Sequence, residues 1–210
     1  MPATPSEGSR GTVVIGSLPM PMHWLQAPVD WAVDGGLRIT AAEHTDLFAD
    51  PRGAPARRTA PCLLGSAAGD WALSARVSVD FKAVFDAGVL VVYQHEESWA
   101  KVCLEYSPTQ RPTVVTVVNR GRSDDANAFS VDRPTIWLRV ACIAPAWAFH
   151  ASTDGRRWEL VRYFALDPAG EGDQPQVGFS AQSPTGRGCA ATFNDIRWSS
   201  TPPADIRSGA

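Results

Sequence analysis

Residues Asp86 to Tyr106, DAGVLVVYQHEESWAKVCLEY, alternate their side-chain character on either side of a short acidic turn, the pattern of a β-hairpin. With Glu96 and Glu97 in the turn, Tyr93 lies opposite Ala100, Val91 opposite Val102 and Val89 opposite Leu104. That pairing predicts a core face of Val89, Val91, Tyr93, Ala100, Val102, Leu104 and Tyr106. The reverse face then carries Leu90, Val92 and Gln94 beside Trp99, Lys101, Cys103 and Glu105. An indole, an amide, an ammonium and a carboxylate among apolar neighbours make that surface the expected floor of a groove.

Similar runs recur along the chain. Strands are predicted over Leu37–Ala42, Trp71–Phe81, Ala87–His95, Trp99–Tyr106, Thr113–Asn119, Thr135–Ile143, Ala146–Ser152, Trp158–Phe164, Gln176–Gln182 and Cys189–Trp198. Shorter ones are expected at His23–Gln26, Trp31–Val33 and Pro61–Gly65. In Trp71–Phe81 the alternation is plain, with Leu73, Ala75, Val77, Val79 and Phe81 opposing Ala72, Ser74, Arg76, Ser78 and Asp80. No window of helical length keeps a 3.6-residue apolar spacing with a cap, and 17 Pro and 17 Gly interrupt the chain too often for long helices. The fold class is therefore all-β. The long connections Glu43–Ala60 and Arg120–Pro134 suit a two-sheet antiparallel β-sandwich of jelly-roll type better than a regular barrel, and they are where specificity is expected.

At 210 residues the chain is long enough for one large core, to which eight Trp and eight Phe contribute. The division expected is a flexible leader over 1–21, a sandwich over 22–198 and a flexible tail over 199–210. A formal charge of −3 without a basic stripe argues against nucleic acid as a partner. No apolar block approaches a membrane span or an export signal, so neither a membrane partner nor secretion is expected, and the expected location is the cytoplasm. Cys62, Cys103, Cys142 and Cys189 lie far apart within or beside strand-like runs, which predicts buried free thiols rather than disulfides or a metal site.

Phosphate loops and Gly-x-Ser-x-Gly elbows are absent, and His23, His44, His95 and His150 offer no ligand spacing, so no metal and no cofactor is expected. His44 and Asp46 form a weaker site candidate in the long first loop, with a local turn contact the plainer reading. Ser152-Thr153-Asp154-Gly155 reads as a two-residue turn that puts His150 opposite Glu159 and Phe149 opposite Leu160, an ordinary cross-strand contact.

Several fragments carry a family pattern. They are Trp24-Leu25, Thr45-Asp46, Asp86-Ala87-Gly88-Val89-Leu90, Ser98-Trp99-Ala100-Lys101 with Glu105-Tyr106, Ser123-Asp124, Trp137-Leu138-Arg139-Val140, Ser152-x-Asp154-Gly155-x-x-Trp158 and Val177-Gly178-Phe179-x-Ala181-x-Ser183-Pro184-x-Gly186. In order and spacing they resemble the domain-of-unknown-function 1349 family, which includes the fungal regulator-of-enolase protein. The resemblance runs from about Met22 to Trp198 and implies a concanavalin A-like sandwich of lectin or glucanase type, with no transferable activity. One departure is that Asp125 follows Asp124 where the family usually has an aromatic residue, which marks the groove rim there as specialised.

Extending the sheet through Ser107–Pro112 places Arg120 opposite Trp99 and Val118 opposite Lys101. The expected ligand-binding strip is thus Gln94, Trp99, Lys101, Glu105 and Arg120, with Ser123 and Asp124 at its end. A Trp that stacks on a sugar's C–H face beside Gln, Lys and Glu suits a lectin-like domain for a glycan or polar small molecule, and the two cations would favour an anionic substituent. The alternative is a small-molecule enzyme of isomerase, cyclase or lyase type, with Glu105 or Asp124 as catalytic acid or base. A glycoside hydrolase fits less well, because no Glu-x-Asp-x-x-Glu run supplies paired carboxylates. A third reading is a protein-interaction or homo-oligomer scaffold built on a strand edge.

Overall fold

The computed structural model describes residues 11–166 and 174–210. Of the expected leader, residues 1–10 lie outside the described residues. The described chain forms β1 (His23–Gln26), β2 (Asp30–Val33), β3 (Leu37–Thr40), β4 (Leu47–Phe48), β5 (Arg57–Arg58), β6 (Cys62–Ser66), β7 (Trp71–Val79) and β8 (Ala87–His95). It continues through β9 (Ser98–Tyr106), β10 (Pro112–Arg120), β11 (Arg122–Ser130), β12 (Thr135–Ile143), β13 (Ala146–Ser152), β14 (Glu159–Ala165), β15 (Gln176–Gln182) and β16 (Ala190–Ser199).

Two antiparallel sheets of seven strands face each other, in the orders β1-β6-β15-β8-β9-β10-β11 and β14-β13-β12-β7-β16-β3-β2. This is the expected all-β, jelly-roll sandwich. Two meanders organise it, β8 to β11 in the first sheet and β12 to β14 in the second. Leu90, Val92, Ala100, Val102, Leu104 and Phe179 of the first sheet meet Leu73, Val77, Leu138, Val140, Phe149 and Phe193 of the second in one core. The face of β7 read from its alternation is the buried one. Gly178 on β15 is required by the close approach of β6, because a Cβ there would collide with the Leu63 carbonyl.

Both termini of the sandwich reach further than expected. Val13, Ile15 and Leu18 are buried in the core and Val13 bridges to Met22, so ordered packing begins upstream of Met22. Residues 199–210, expected as a loose tail, fold over the outer face of the second sheet, where Ile206 packs with Ala72, Ala141 and Ala148. The His150 ring nitrogen Nε2 bonds the Ile206 carbonyl at 2.8 Å, and Arg139 Nη2 donates to the Gly209 carbonyl at 2.8 Å.

The loop expected over Arg120–Pro134 is largely strand: it holds β11, the edge strand beside β10. The loop Glu43–Ala60 carries the small β4–β5 hairpin and crosses the outer face of the first sheet. Ala49 N–H donates to Ser123 Oγ (3.0 Å) and Arg122 Nη1 donates to the Pro51 carbonyl (2.6 Å), which ties that loop to β11. Among the described residues no helix is long and apolar enough to cross a membrane.

Candidate functional site

Alternation along β9 sends Trp99, Lys101, Cys103 and Glu105 away from the core onto the outer face of the first sheet, while Ala100, Val102 and Leu104 point inward. Their expected partners need correction. Tyr93 pairs with Trp99, Val91 with Lys101 and Val89 with Cys103, a shift of one residue from the pairing anticipated. The cause is a bulge between Tyr93 and His95, which absorbs one residue at the hairpin tip. Val89, Val91 and Tyr93 therefore share the outer face with Trp99 and Lys101, and Leu90 and Val92 belong to the core. Gln94 leaves the strip: it accepts a hydrogen bond from Ser98 (2.6 Å) and lines a separate cleft beside Cys142 and Trp147.

The next strand is also displaced by one. Val117 pairs with Lys101 and Asn119 with Trp99, so Arg120 lies opposite Ser98, off the strip, and donates to the Ala165 carbonyl at 3.1 Å. On β11 the same parity puts Asp125 beside Val117 and Ser123 beside Asn119. Asp124 turns to the far side, where its Oδ2 pairs with Arg162 Nη2 of β14 at 2.8 Å. Ser123 is buried and bonded to both Asn119 and the Ala49 amide, so it anchors the overlying loop and is not free for a ligand. The Ser152–Trp158 turn departs as well: Asp154 accepts from the Arg156 and Arg157 amides, and His150 pairs with Leu160 rather than Glu159.

Trp99 cannot serve as a stacking platform. The loop Glu43–Ala60 brings Leu47 and Ala60 over it, which leaves 1% of the indole residue exposed. The loop stops short of the other end of the face, and there a cleft of about 220 Å³ opens. Asp46, Lys101, Glu105, Asp125 and Gln182 supply its polar lining, with Phe48, Phe85, Val117 and Pro184 around them. Asp46, the weaker candidate of the first loop, is thus a wall of the site, while His44 is exposed. Phe48, Phe85 and Gln182 were not singled out from the sequence. Their signal lay in the fragments Thr45-Asp46, Asp86-Ala87 and Ala181-x-Ser183-Pro184, which flank them and meet here.

Lys101 forms the floor and is 2% exposed. Its ammonium donates to the Leu47 carbonyl (2.7 Å) and to Gln182 Oε1 (2.7 Å), with Asp46 Oδ1 at 3.8 Å and the Trp99 ring centroid at 5.9 Å. An ammonium has three donors, and this arrangement commits it to the protein. Glu105 stands four residues further along the strand. Burial pushes its carboxyl up to about 8 against the pull of Lys101, and Asp125 and Asp46 add to the rise. Burial raises Asp125 too, opposed by Lys101, its bond to the Ala126 backbone and Arg162, with Asp124 reinforcing the rise. The cleft therefore presents carboxyl groups around one paired cation, and Glu105 can donate a hydrogen bond at neutral pH.

Phe85 enters the cleft from a left-handed backbone, φ 71°, next to the turn that Asp86 closes by accepting the Lys82 and Ala83 amides. Ser183 Oγ donates to the other Asp86 oxygen at 2.6 Å, which joins this turn to the end of β15. Among the described residues no group of His, Cys, Asp and Glu is arranged to hold a metal ion.

The family described as protein of unknown function, DUF1349, matches residues 24–201. The chain belongs to the DUF1349 family. No curated protein matches it by sequence. This DUF1349 domain is similar in structure to a functionally unknown protein from Saccharomyces cerevisiae, with a TM-score of 0.77, 23% identity, and 85% of this chain and 95% of that chain covered. It is also similar to the GH43 BlXynB protein from Bacillus licheniformis, with a TM-score of 0.66, 18% identity, and 84% of this chain but 36% of that chain covered. Carbohydrate binding module CBM66 from Bacillus subtilis superposes with a TM-score of 0.54 at 12% identity, covering 83% of this chain and 94% of that module. At these identities the likeness is one of fold.

Proposed function

We propose that the cleft around Lys101 and Glu105 is a lectin-like binding site for a glycan or a related polar small molecule. The observation that carries this reading is the cleft's lining, in which Asp46, Glu105, Asp125 and Gln182 converge between the rings of Phe48 and Phe85. Aromatic faces accept the C–H side of a sugar ring, and sparse fixed polar groups read its hydroxyls. Likeness of fold to a carbohydrate binding module supports the same reading. Charge narrows the ligand. With Lys101 donating to Leu47 and Gln182 and its charge matched by Asp46, and with Arg120 outside, an anionic substituent finds no unpaired cation here, so a neutral, hydroxyl-rich ligand fits better.

A glycan array followed by isothermal titration tests this with wild type, Phe85→Ala and Glu105→Ala. Both substitutions are expected to weaken binding about tenfold or more. A ligand that binds all three proteins equally would remove the cleft from consideration. Trp99→Ala, by contrast, reports on packing.

The Glu105 carboxyl, protonated up to about 8, favours one second reading: a small-molecule enzyme in which Glu105 is the acid and Asp46 or Asp125 the base. Asp124, the base expected from the sequence, faces Arg162 instead. Turnover of a bound compound that disappears in Glu105→Gln would mark this reading, and recovery of the compound unchanged rejects it.

A further inference from the structure

A second cleft, of about 370 Å³, lies on the outer face of the other sheet, between that sheet and the segment 199–210. Strand register builds its floor. Arg139 of β12 lies opposite Ser74 of β7, and Ser74 lies opposite Arg197 of β16, so the three side chains form one row across three strands. Ala72, Ser74, Trp158, Thr201 and Ala210 also line the cleft. Each guanidinium lies over an indole: Arg139 Cζ sits 4.4 Å from the Trp158 ring centroid and Arg197 Cζ 5.3 Å from that of Trp137. The indoles fix the planes of the two cations without neutralising them.

Among the described residues neither Arg139 nor Arg197 has a carboxylate at ion-pairing distance, and both face the same cleft. Asp195, the nearest acid in sequence to Arg197, is bound to Arg76 in the adjacent row. Arg139 spends Nη2 on the Gly209 carbonyl, and its Nε is buried without a partner. Burial, with no acid to oppose it, pushes Arg139 down to about 10. On the other flank of the row His150, opposite Arg139, is pushed down to about 4 by burial and by that cation, so at neutral pH it adds no charge. A half-buried guanidinium such as that of Arg139 is ordinarily matched by an anion, because its desolvation is otherwise uncompensated, and the exposed Arg197 adds a second cation across the same row.

We propose that this cleft is a second ligand site, specific for the oxyanion group of a small polar molecule, held by Arg139 and Arg197 with the Ser74 hydroxyl between them. Guanidinium forks match a carboxylate or a phosphate equally in geometry, and the cleft volume admits a group of monosaccharide size. The site is chemically the reverse of the carboxyl-lined cleft on the first sheet and lies on the opposite outer face of the sandwich.

Isothermal titration of the full chain at low salt with glucuronate, glucose 6-phosphate and glucose, with the site of each read from amide shifts, tests the assignment. One or both anions are expected to bind at Arg139 and Arg197 and glucose is not, whatever glucose does at the first cleft, and which anion binds there distinguishes carboxylate from phosphate. Arg139→Gln and Arg197→Gln should each weaken binding about tenfold or more, and Arg111→Gln, at an exposed guanidinium outside both clefts, should leave it unchanged. Arg139→Gln also removes the bond to Gly209, so Arg197→Gln, which loses no hydrogen bond among the described residues, keeps the test decisive. Amide shifts on titration should centre on Ser74, Arg139 and Arg197. Absence of both anions from this cleft, glucose shifting the same three amides equally, or unchanged anion affinity in Arg197→Gln would overturn the proposal.

Discussion

Glu105 couples the cleft to pH. Its folded-state carboxyl titrates near 8 against an ordinary 4.5, so the folded protein retains a proton that the unfolded chain gives up. Stability from this group is present below the unfolded value and is lost as pH rises from about 4.5 through about 8. Glu105→Gln should flatten that decline, worth on the order of 2 kcal/mol once solvent at the open side of the cleft is allowed for. Urea midpoints of both proteins across this range provide the check, and parallel profiles would contradict the assignment. That Lys101 and Glu105 share an outer face was legible in the sequence, because side-chain alternation is a local property of one strand. Their neighbours were not legible, because pairing depends on a single bulged residue after Tyr93 that composition does not mark. Trp99 illustrates a different limit: its direction was readable, but its burial is decided by a loop some forty positions upstream.

Edge strand β11 is the element on which the site most depends and which the sequence hid best. RSDDANAFS has almost no apolar alternation and low strand propensity, since its outer edge meets water and only Ser123 is buried. The central strands β8, β12, β13 and β15 fall at their expected bounds, because apolar runs flanked by turn residues mark buried strands clearly. Ser123 holds β11 to the overlying loop through the Ala49 amide and to β10 through Asn119. Ser123→Ala strands that buried amide and should cost about 1–2 kcal/mol. Hydrogen exchange should quicken at Ala49 more than in β8, and equal protection in both proteins would show that the loop is held by other contacts.

At the scale of the molecule, the thiols are sealed in two places, Cys142 and Cys189 between the sheets and Cys62 and Cys103 beneath the loop on the first sheet's outer face. Cys62, Cys103, Cys142 and Cys189 are free and buried, as expected from their spacing. Burial pushes Cys62 and Cys142 up to about 11, Cys189 to about 12 and Cys103 higher still. A thiol reagent at pH 8 should react slowly with the native protein and with all four cysteines in denaturant, Cys142 first because it lines the cleft beside Gln94. Prompt native reaction at Cys103 would mean that the loop over the first sheet's outer face lifts away. The two sheets are also fastened at one flank, where Arg162 of β14 grips Asp124 of β11 and reaches Thr116 at 3.3 Å. Asp124 and Asp125 are consecutive residues on opposite sides of one strand, so the wall that Asp125 offers to the cleft is steered from behind by an ionic latch. Asp124 in that pair is largely open to water, so dissolved salt is expected to weaken the latch.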